Sequence, residues 1–497
     1  MDPPAGRFIF AWGDTGNLSC WALIDAAKAD SLQTVELPDY TPIFLSTRRD
    51  LGVEVVGCGL DVAMPSPSNS AGKDQQLHSW QQWVAPWYSA YALLGATVGG
   101  LVPILLPLAV SRARGAAQVG LVMAALSLGG LTAPLWGGLA DRYRLHRWLL
   151  AGGLLLTTLG LAAFPFTTAS VLWLGLAMLQ GTGAAASATV ANLFVVEAYP
   201  QVEWDDRIGW LQTFYGGGQV GGLLLAGLLG QSHVRLGLLV AAGLTALAVL
   251  PGWCKTQTPP GPLMPKPVLL HPAQHGEWAV GSPQRLFHYL NWETLRQLRS
   301  PLRSPFGLFL VAWLLSFAGS AAVFSLYPVL MKQAYGISPG LSSLGFGVAA
   351  GLGLALYSPA GRWSGGCGPA RVLKIALGVR LLAFVSLLAL PFTHSGGGED
   401  WLALLAFLFV VLAWSLLSVS GTALTAELSP VEEGQAIGLF NATTAVAGVI
   451  GAALGGWVAG RWGYVAVLGP AVLGVGCGLI LALSIRPARP DTENARP

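Results

Sequence analysis

Nine polar or amphipathic side chains interrupt stretches of sequence that are otherwise apolar: Tyr91, Gln180, Gln212, Tyr215, Gln219, Trp313, Tyr327, Trp414 and Asn441. Neutral amides offer a donor and an acceptor each, and phenol and indole rings offer an apolar face with one polar tip. Such groups suit reversible binding of hydroxyl-bearing, amphipathic or planar solutes rather than bond-breaking. Taken singly, each serves equally well as a helix–helix hydrogen bond or an interfacial aromatic, and Tyr327 near a helix end fits an aromatic belt. No arrangement for catalysis accompanies them. The chain has no HExxH, no glycine-rich phosphate loop with a lysine and no paired acids within an apolar stretch, so an enzyme is not expected. All 24 acids and seven histidines fall in loops, helix ends or tails, which leaves no intramembrane carboxylate or imidazole to carry a proton. The one charge deep in an apolar stretch is Arg380. Arginine at the centre of a membrane helix costs roughly 2.5–3.5 kcal/mol on insertion scales. It could receive an anionic solute, but snorkelling past Leu373 to the nearer interface is the expectation.

These side chains must be positioned by membrane-spanning elements. Of 497 residues only 10% are charged, 53% are hydrophobic, and mean hydropathy is +0.58. A water-soluble chain of this size could not cover its surface with so few charges. Glycine, at 65 residues, is abundant in the way close-packed membrane helices require. The net charge of +3 gives no reason to expect a nucleic-acid partner. The five cysteines, Cys20, Cys58, Cys254, Cys367 and Cys477, include no CxxC pair, so neither a metal site nor a disulfide framework is expected, and no cofactor is implied.

Twelve apolar stretches of the length needed to cross the bilayer occur near 87–110, 116–139, 148–165, 169–194, 208–230, 234–252, 305–330, 341–358, 372–392, 401–425, 435–459 and 464–484. The domains that follow are an N-terminal cytoplasmic extension over 1–84, six spans over 85–252, a Pro-rich cytoplasmic linker over 253–304, six spans over 305–486 and a tail over 487–497. The extension holds ten acids and five bases in its first 80 residues, lacks a signal-peptide pattern, and carries a linker-like PSPSNSAG at Pro65–Gly72; short runs at Phe8–Trp12 and Val53–Val56 could be strands. A poorly ordered cytoplasmic extension is the expectation, with a folded regulatory module as the alternative. With the N-terminus inside, Lys and Arg divide 21 inside to 5 outside, so both termini are expected in the cytoplasm, in a plasma or inner membrane.

The halves repeat. Gly137–Arg147 (GGLADRYRLHR) returns 224 residues later as Gly361–Arg371 (GRWSGGCGPAR), and Glu197-Ala-Tyr-Pro200 returns 230 residues later as Glu427-Leu-Ser-Pro430. Ile208-Gly209, Gln212, Gly222 and Gly227 stand opposite Ile437-Gly438, Asn441, Gly451 and Gly456 at an offset of 229. Near-constant offsets at matching helix ends indicate a duplicated six-helix unit.

On these residues the chain resembles the major facilitator superfamily, whose signature between the second and third spans, G-x-L-A-D-R-x-G-R-K, is similar to GGLADRYRLHR. The resemblance covers about residues 85–486 and implies an all-α membrane protein of twelve transmembrane helices arranged as two pseudo-symmetric six-helix bundles. It departs from the family where Arg144 takes the signature's second glycine, where Gly365 takes the aspartate of the second copy, where Ala177 stands for an arginine of the fourth span, and where Leu223 replaces a proline beside Gly209, Gly218 and Gly222. The last two departures speak against a proton-driven drug antiporter.

The resemblance also implies roles. Gly137, Asp141, Arg142, Arg147, Glu197 and Glu427 would form a latch between the halves at the cytoplasmic boundary, with Gly361, Gly368 and Arg371 as its second copy. The alternative is simple boundary anchoring by the arginines and helix-end positions for the acids. By their spacing, one helical turn apart, Gly218/Gly222 and Gly451/Gly455 are expected to be packing surfaces on which the halves rock rather than ligand contacts, and in the family's fold the nine polar residues above would line a midplane cavity. The expected function is secondary transport of a small organic solute by alternating access, with efflux favoured over uptake, in a monomer whose partners are the solute and the lipid bilayer. Without a buried acid, transport would be facilitated diffusion, or be coupled through Glu197 and Glu427. The rival is a membrane scaffold or assembly factor that keeps the fold and transports nothing.

Overall fold

The computed structural model describes residues 20–22, 33–35, 84–143, 145–199, 203–230, 233–254, 304–393, 399–429 and 433–485. The strand-like runs at 8–12 and 53–56, most of the extension and linker, and the tail lie outside these residues. Within the segment 1–72, β1 (Cys20–Ala22) pairs antiparallel with β2 (Gln33–Val35), Trp21 opposite Thr34.

The rest of the described chain is helical. The first half comprises α1 (Tyr88–Arg114, π-helical over Gly95–Leu101), α2 (Ala116–Gly130 continued by Ala133–Tyr143), α3 (His146–Ala163), α4 (Ser170–Ala198), α5 (Trp204–Leu229) and α6 (Val234–Cys254). The second comprises α7 (Pro305–Tyr335), α8 (Pro339–Cys367), α9 (Pro369–Thr393), α10 (Glu399–Leu428), α11 (Glu433–Trp462) and α12 (Leu468–Leu483). Local sequence sets several boundaries. Ser304 and Ser338 cap α7 and α8, accepting from the amides of Gly307 and Leu341, and each is followed by proline at the first helical position, where a missing N–H costs nothing. Gly336 ends α7 at φ +70° and Gly368 ends α8 at φ +86°, a region other residues enter with strain.

Among the described residues eleven helices combine the length and hydropathy to cross a membrane. The other, α5, is 26 residues long, and Gln212, Thr213, Tyr215, Gln219 and several glycines dilute its apolarity.

The pairing of helices obeys the duplication. In the first half α1 packs on α5 and α3 on α4; in the second, α7 packs on α11 and α9 on α10. Between the halves, α2 faces α11 and α5 faces α8, and these two seams are images of each other when six is added to or subtracted from each helix number. The expected two pseudo-symmetric bundles are therefore present.

The structure corrects the expectation for the paired glycines. A Cβ at Gly218 or Gly222 would meet the carbonyl oxygens of Ala92 and Ala96 on α1, and one at Gly451 or Gly455 those of Ala318 and Ala322 on α7. Both motifs thus seat helices within one half, where small residues permit backbone contact. The seam between halves uses other positions: a Cβ at Gly456 would stand 2.5 Å from Gly120 Cα, and one at Gly227 3.2 Å from the Gly340 oxygen. Ser343 of α8 donates to the Leu223 carbonyl of α5 at 2.6 Å. These contacts all lie toward the end bearing Gly115 and Gly336.

Candidate substrate cavity

A cavity of about 380 Å³ sits where the two halves meet, midway along the helices. The first half contributes Gly99, Pro103, Met123, Ser127 and Gln219; the second contributes Phe317, Ser320, Phe324, Ser325, Tyr357, Arg380, Trp414 and Ser415 among others. Apolar walls with a few convergent polar groups are the usual build of a small-molecule site, and the volume lies at the small end of the usual range.

The sequence candidates divide by location. Gln219 and Trp414 line the cavity. Trp313 stands behind Trp414, ring centroids 6.3 Å apart, and donates through Nε1 to Thr444 Oγ1 at 2.8 Å. Tyr91, Gln212 and Tyr215 form a separate group on α1 and α5: the two tyrosine rings are 5.1 Å apart, and the Tyr91 hydroxyl meets Gln212 and Asn192. Gln180 is buried between α3 and α4, against Gly160 and with its backbone oxygen facing Thr157, away from the cavity wall. Tyr327 stacks on Phe407 at 4.0 Å and donates to the Ser342 carbonyl at 2.7 Å, tying α7 to α8. Asn441 is exposed on α11 and does not line the cavity.

Sequence reading missed Ser127, Ser320, Ser325, Ser415, Tyr357 and the ring pair Phe317 and Phe324, since serines and phenylalanines within a span carry no signal of which way they face. Asn192, an amide of the kind selected from the sequence, also went unselected, and only the structure brings it to Tyr91. The expectation for Arg380 is overturned. Its side chain is 3% exposed and lines the cavity. Eleven residues of helix separate it from Pro369, about 16 Å at 1.5 Å per residue, farther than its side chain extends. Lys374, nearer the helix start, is the residue that reaches toward a helix end, donating to the Ile485 carbonyl at 3.0 Å.

At the end of the bundle opposite Gly115, Asp141 and Arg142 occupy the last turn of α2 and Glu197 the last turn of α4; their side chains lie outside the described set. Gly137 faces Thr189 of α4, with 3.5 Å from a built Cβ to the Thr189 methyl. Arg147 opens α3 with its guanidinium 5.7 Å from the Trp253 ring centroid, and Glu427 is exposed in the last turn of α10. In the second copy, Gly361 has open space around it, Gly368 supplies the positive φ that ends α8, and Arg371 is exposed in the first turn of α9. Nearby, Arg207 pairs with Glu203 at 2.7 Å and lies 3.5 Å over the Tyr199 ring, and its carbonyl accepts from Tyr88 at 3.3 Å. This clamp joins the starts of α1 and α5 to the end of α4.

Among the described residues no group of three His, Cys, Asp or Glu side chains could hold a metal ion. Two six-helix bundles enclosing a solute-sized midplane cavity define a multi-pass membrane protein built as a secondary transporter. The family model of the Major Facilitator Superfamily matches residues 87–414 and 359–497, and the chain belongs to that superfamily. No curated protein matches the sequence. Among solved structures the chain is similar to the nucleoside transporter NupG (14% identity, covering 80% of this chain and 97% of that one, TM-score 0.62). It is also similar to the peptide transporter POT (18%, 80% and 93%, 0.59) and to the inward-open xylose transporter XylE from E. coli (14%, 81% and 97%, 0.58). At these identities the likeness concerns the fold.

Proposed function

We propose that the protein moves a small organic solute across the bilayer by alternating access, one half rocking against the other about the midplane cavity. The observation that carries this reading is the cavity itself, contributed by both halves and holding Gln219, Tyr357, Arg380 and Trp414 among apolar walls. A scaffold that only keeps the fold has no need of a cavity that gathers polar groups among apolar walls where its two bundles meet. NupG, POT and XylE are transporters by name, of a nucleoside, of peptides and of xylose, and solute transport is carried from them to this chain as part of the proposal. The close approaches between halves run from the end bearing Gly115 and Gly336 to mid-depth, where a Cβ at Gly216 would meet Leu354 and one at Gly448 would meet Ser127; with both termini in the cytoplasm, as the Lys and Arg bias indicates, this reading makes it the inward-facing state.

Among the described residues no Asp, Glu or His lines the cavity, and in this reading transport is either downhill or coupled at the boundary through Glu197 and Glu427. Net efflux is the expected direction: a cavity walled by rings suits amphipathic solutes, which enter a bilayer unaided and need expulsion more than capture. Tyr91, Gln212 and Tyr215 form a second polar step on the route. Proteoliposomes loaded with a solute library test the reading: saturable counterflow of at least one solute is expected, and no flux of any kind together with a stable protein partner would favour the scaffold.

Asp141, Arg142, Arg147, Glu197 and Glu427 act in this reading as a boundary latch whose pairs exist in one rocking state. A boundary pair is worth about 0–1 kcal/mol. Asp141→Asn is therefore expected to slow turnover by up to about fivefold while leaving solute affinity unchanged. Equal turnover in counterflow would count against the latch.

A further inference from the structure

The wall of the cavity contains a cation with no counter-ion among the described residues. Arg380 sits at the middle of α9, is 3% exposed, and faces the cavity. Its guanidinium lies over three rings, 5.5 Å from Phe324, 5.9 Å from Trp414 and 6.0 Å from Phe384. Its Nε has no hydrogen-bond partner, and no carboxylate stands among the described residues around the cavity. The neighbouring hydroxyls do not substitute for one. Ser320, Ser325 and Ser415 donate to the carbonyls of Ser316, Ala322 and Gly353. A guanidinium stays charged at any physiological pH and presents a planar fork matched to two oxygens of an oxyanion. Rings beneath it stabilise the cation's position but supply no negative charge.

We propose that Arg380 is the anchor for an organic monoanion, a carboxylate or similar oxyanion carried on a flat apolar body, with the body packed against Phe317, Phe324 and Trp414. One cation in a wall otherwise uncharged among the described residues matches one negative charge; a second charge on the solute would be left desolvated and unpaired. The proposal names the substrate class of the cavity and so rests on reading that cavity as the solute site.

The test uses the full chain, purified into lipid nanodiscs, with thermal-shift and equilibrium binding measurements. The probes are benzoate, indole-3-acetate, naphthalene-2-sulfonate and octanoate, each beside its neutral amide. At least one anion is expected to bind the wild type, with its amide at least tenfold weaker. In Arg380→Gln the anion's affinity is expected to fall at least ~30-fold, and in Arg380→Lys, which keeps the charge but loses the fork, by a smaller factor. No binding by any of the four anions, amides that bind equally well, or an Arg380→Gln protein that keeps its anion affinity would each overturn the proposal. The anion–amide comparison needs no variant, so it decides the matter even if Arg380→Gln does not fold. Flux separates this from the broader reading. Arg380-dependent anion binding without flux of any solute supports the anchor and counts against transport. Flux of a neutral solute, unchanged in Arg380→Gln and with no anion bound, supports transport and overturns the anchor.

Discussion

Gly456→Leu is expected to give a folded protein that no longer cycles. Gly456 of α11 meets Gly120 of α2 across the seam between the halves, where a built Cβ at either position stands 2.5 Å from the other's Cα. Gly460 continues the contact, with its Cβ position 3.4 Å from the Ala117 Cβ. An isobutyl group wedged there pries the halves apart at one end only, and leaves the packing inside each bundle alone. Overpacking of a tight contact costs about 1–3 kcal/mol, all of it charged to the state in which this end is closed. At about tenfold per 1.4 kcal/mol, the closed state loses roughly 5- to 150-fold in population, and a carrier confined to one face of its cycle stops. Counterflow should fall by at least tenfold. A cysteine placed at Ala117 should label faster with a membrane-impermeant maleimide than in the Gly456 parent, while the apparent melting temperature moves little. Unchanged flux with unchanged labelling would refute the rocking seam.

Gly222→Leu is expected to do the opposite: to leave no folded protein whose cycling could be measured. Gly222 belongs to α5 and meets the backbone of α1 at Ala96, with Gly100 beside it. No conformational state relieves this contact, because both helices are in the same half and no hinge lies between them. The neighbouring backbone is already π-helical over Gly95–Leu101, and Gly218, one turn earlier, has the same contact with Ala92. A leucine must therefore separate α1 from α5 along their length, at a cost beyond about 3 kcal/mol. Fluorescence-detected size-exclusion chromatography is expected to show aggregate in place of the monodisperse peak, with Gly222→Ala intermediate. Recovery of a stable Gly222→Leu protein would mean that the α1–α5 contact is not needed for folding. The two leucine variants are chemically alike, so their different outcomes report only where the seam lies.

That distinction was not legible in the chain. GxxxG spacing marks a helix face that another backbone approaches, and Gly218/Gly222 and Gly451/Gly455 were recognised by it, but the spacing does not name the partner helix. The same limit governs the cavity. In a water-soluble bundle the polar face of each helix points outward and reveals its orientation. In a membrane the lipid-facing and core-facing sides are both apolar, so α7, α9 and α10 read alike all round. Gln219 and Trp414 were found because polarity drew attention to them; Gln180 and Tyr327 drew the same attention and serve helix contacts instead. Helix ends were also undershot: α8 continues to Cys367 and α7 to Tyr335, since helical hydrogen bonding persists into the polar boundary where hydropathy has already fallen.

What the residue order determined by itself was everything that depends on length, composition and repetition: a membrane protein, twelve spans, a duplicated six-helix unit and the family signature in Gly137–Arg147. What only tertiary structure decided was the rotation of each helix about its axis. Arg380 shows the difference most plainly. Its position in the chain establishes that a charge sits in mid-membrane and must be accommodated, yet lipid, protein core and solute cavity lie within one helix turn of one another. The packing of α9 against α10 and α12 turns that charge toward the cavity, because a few tens of degrees of helix rotation, invisible to hydropathy, separate a residue that faces lipid from one that faces a solute.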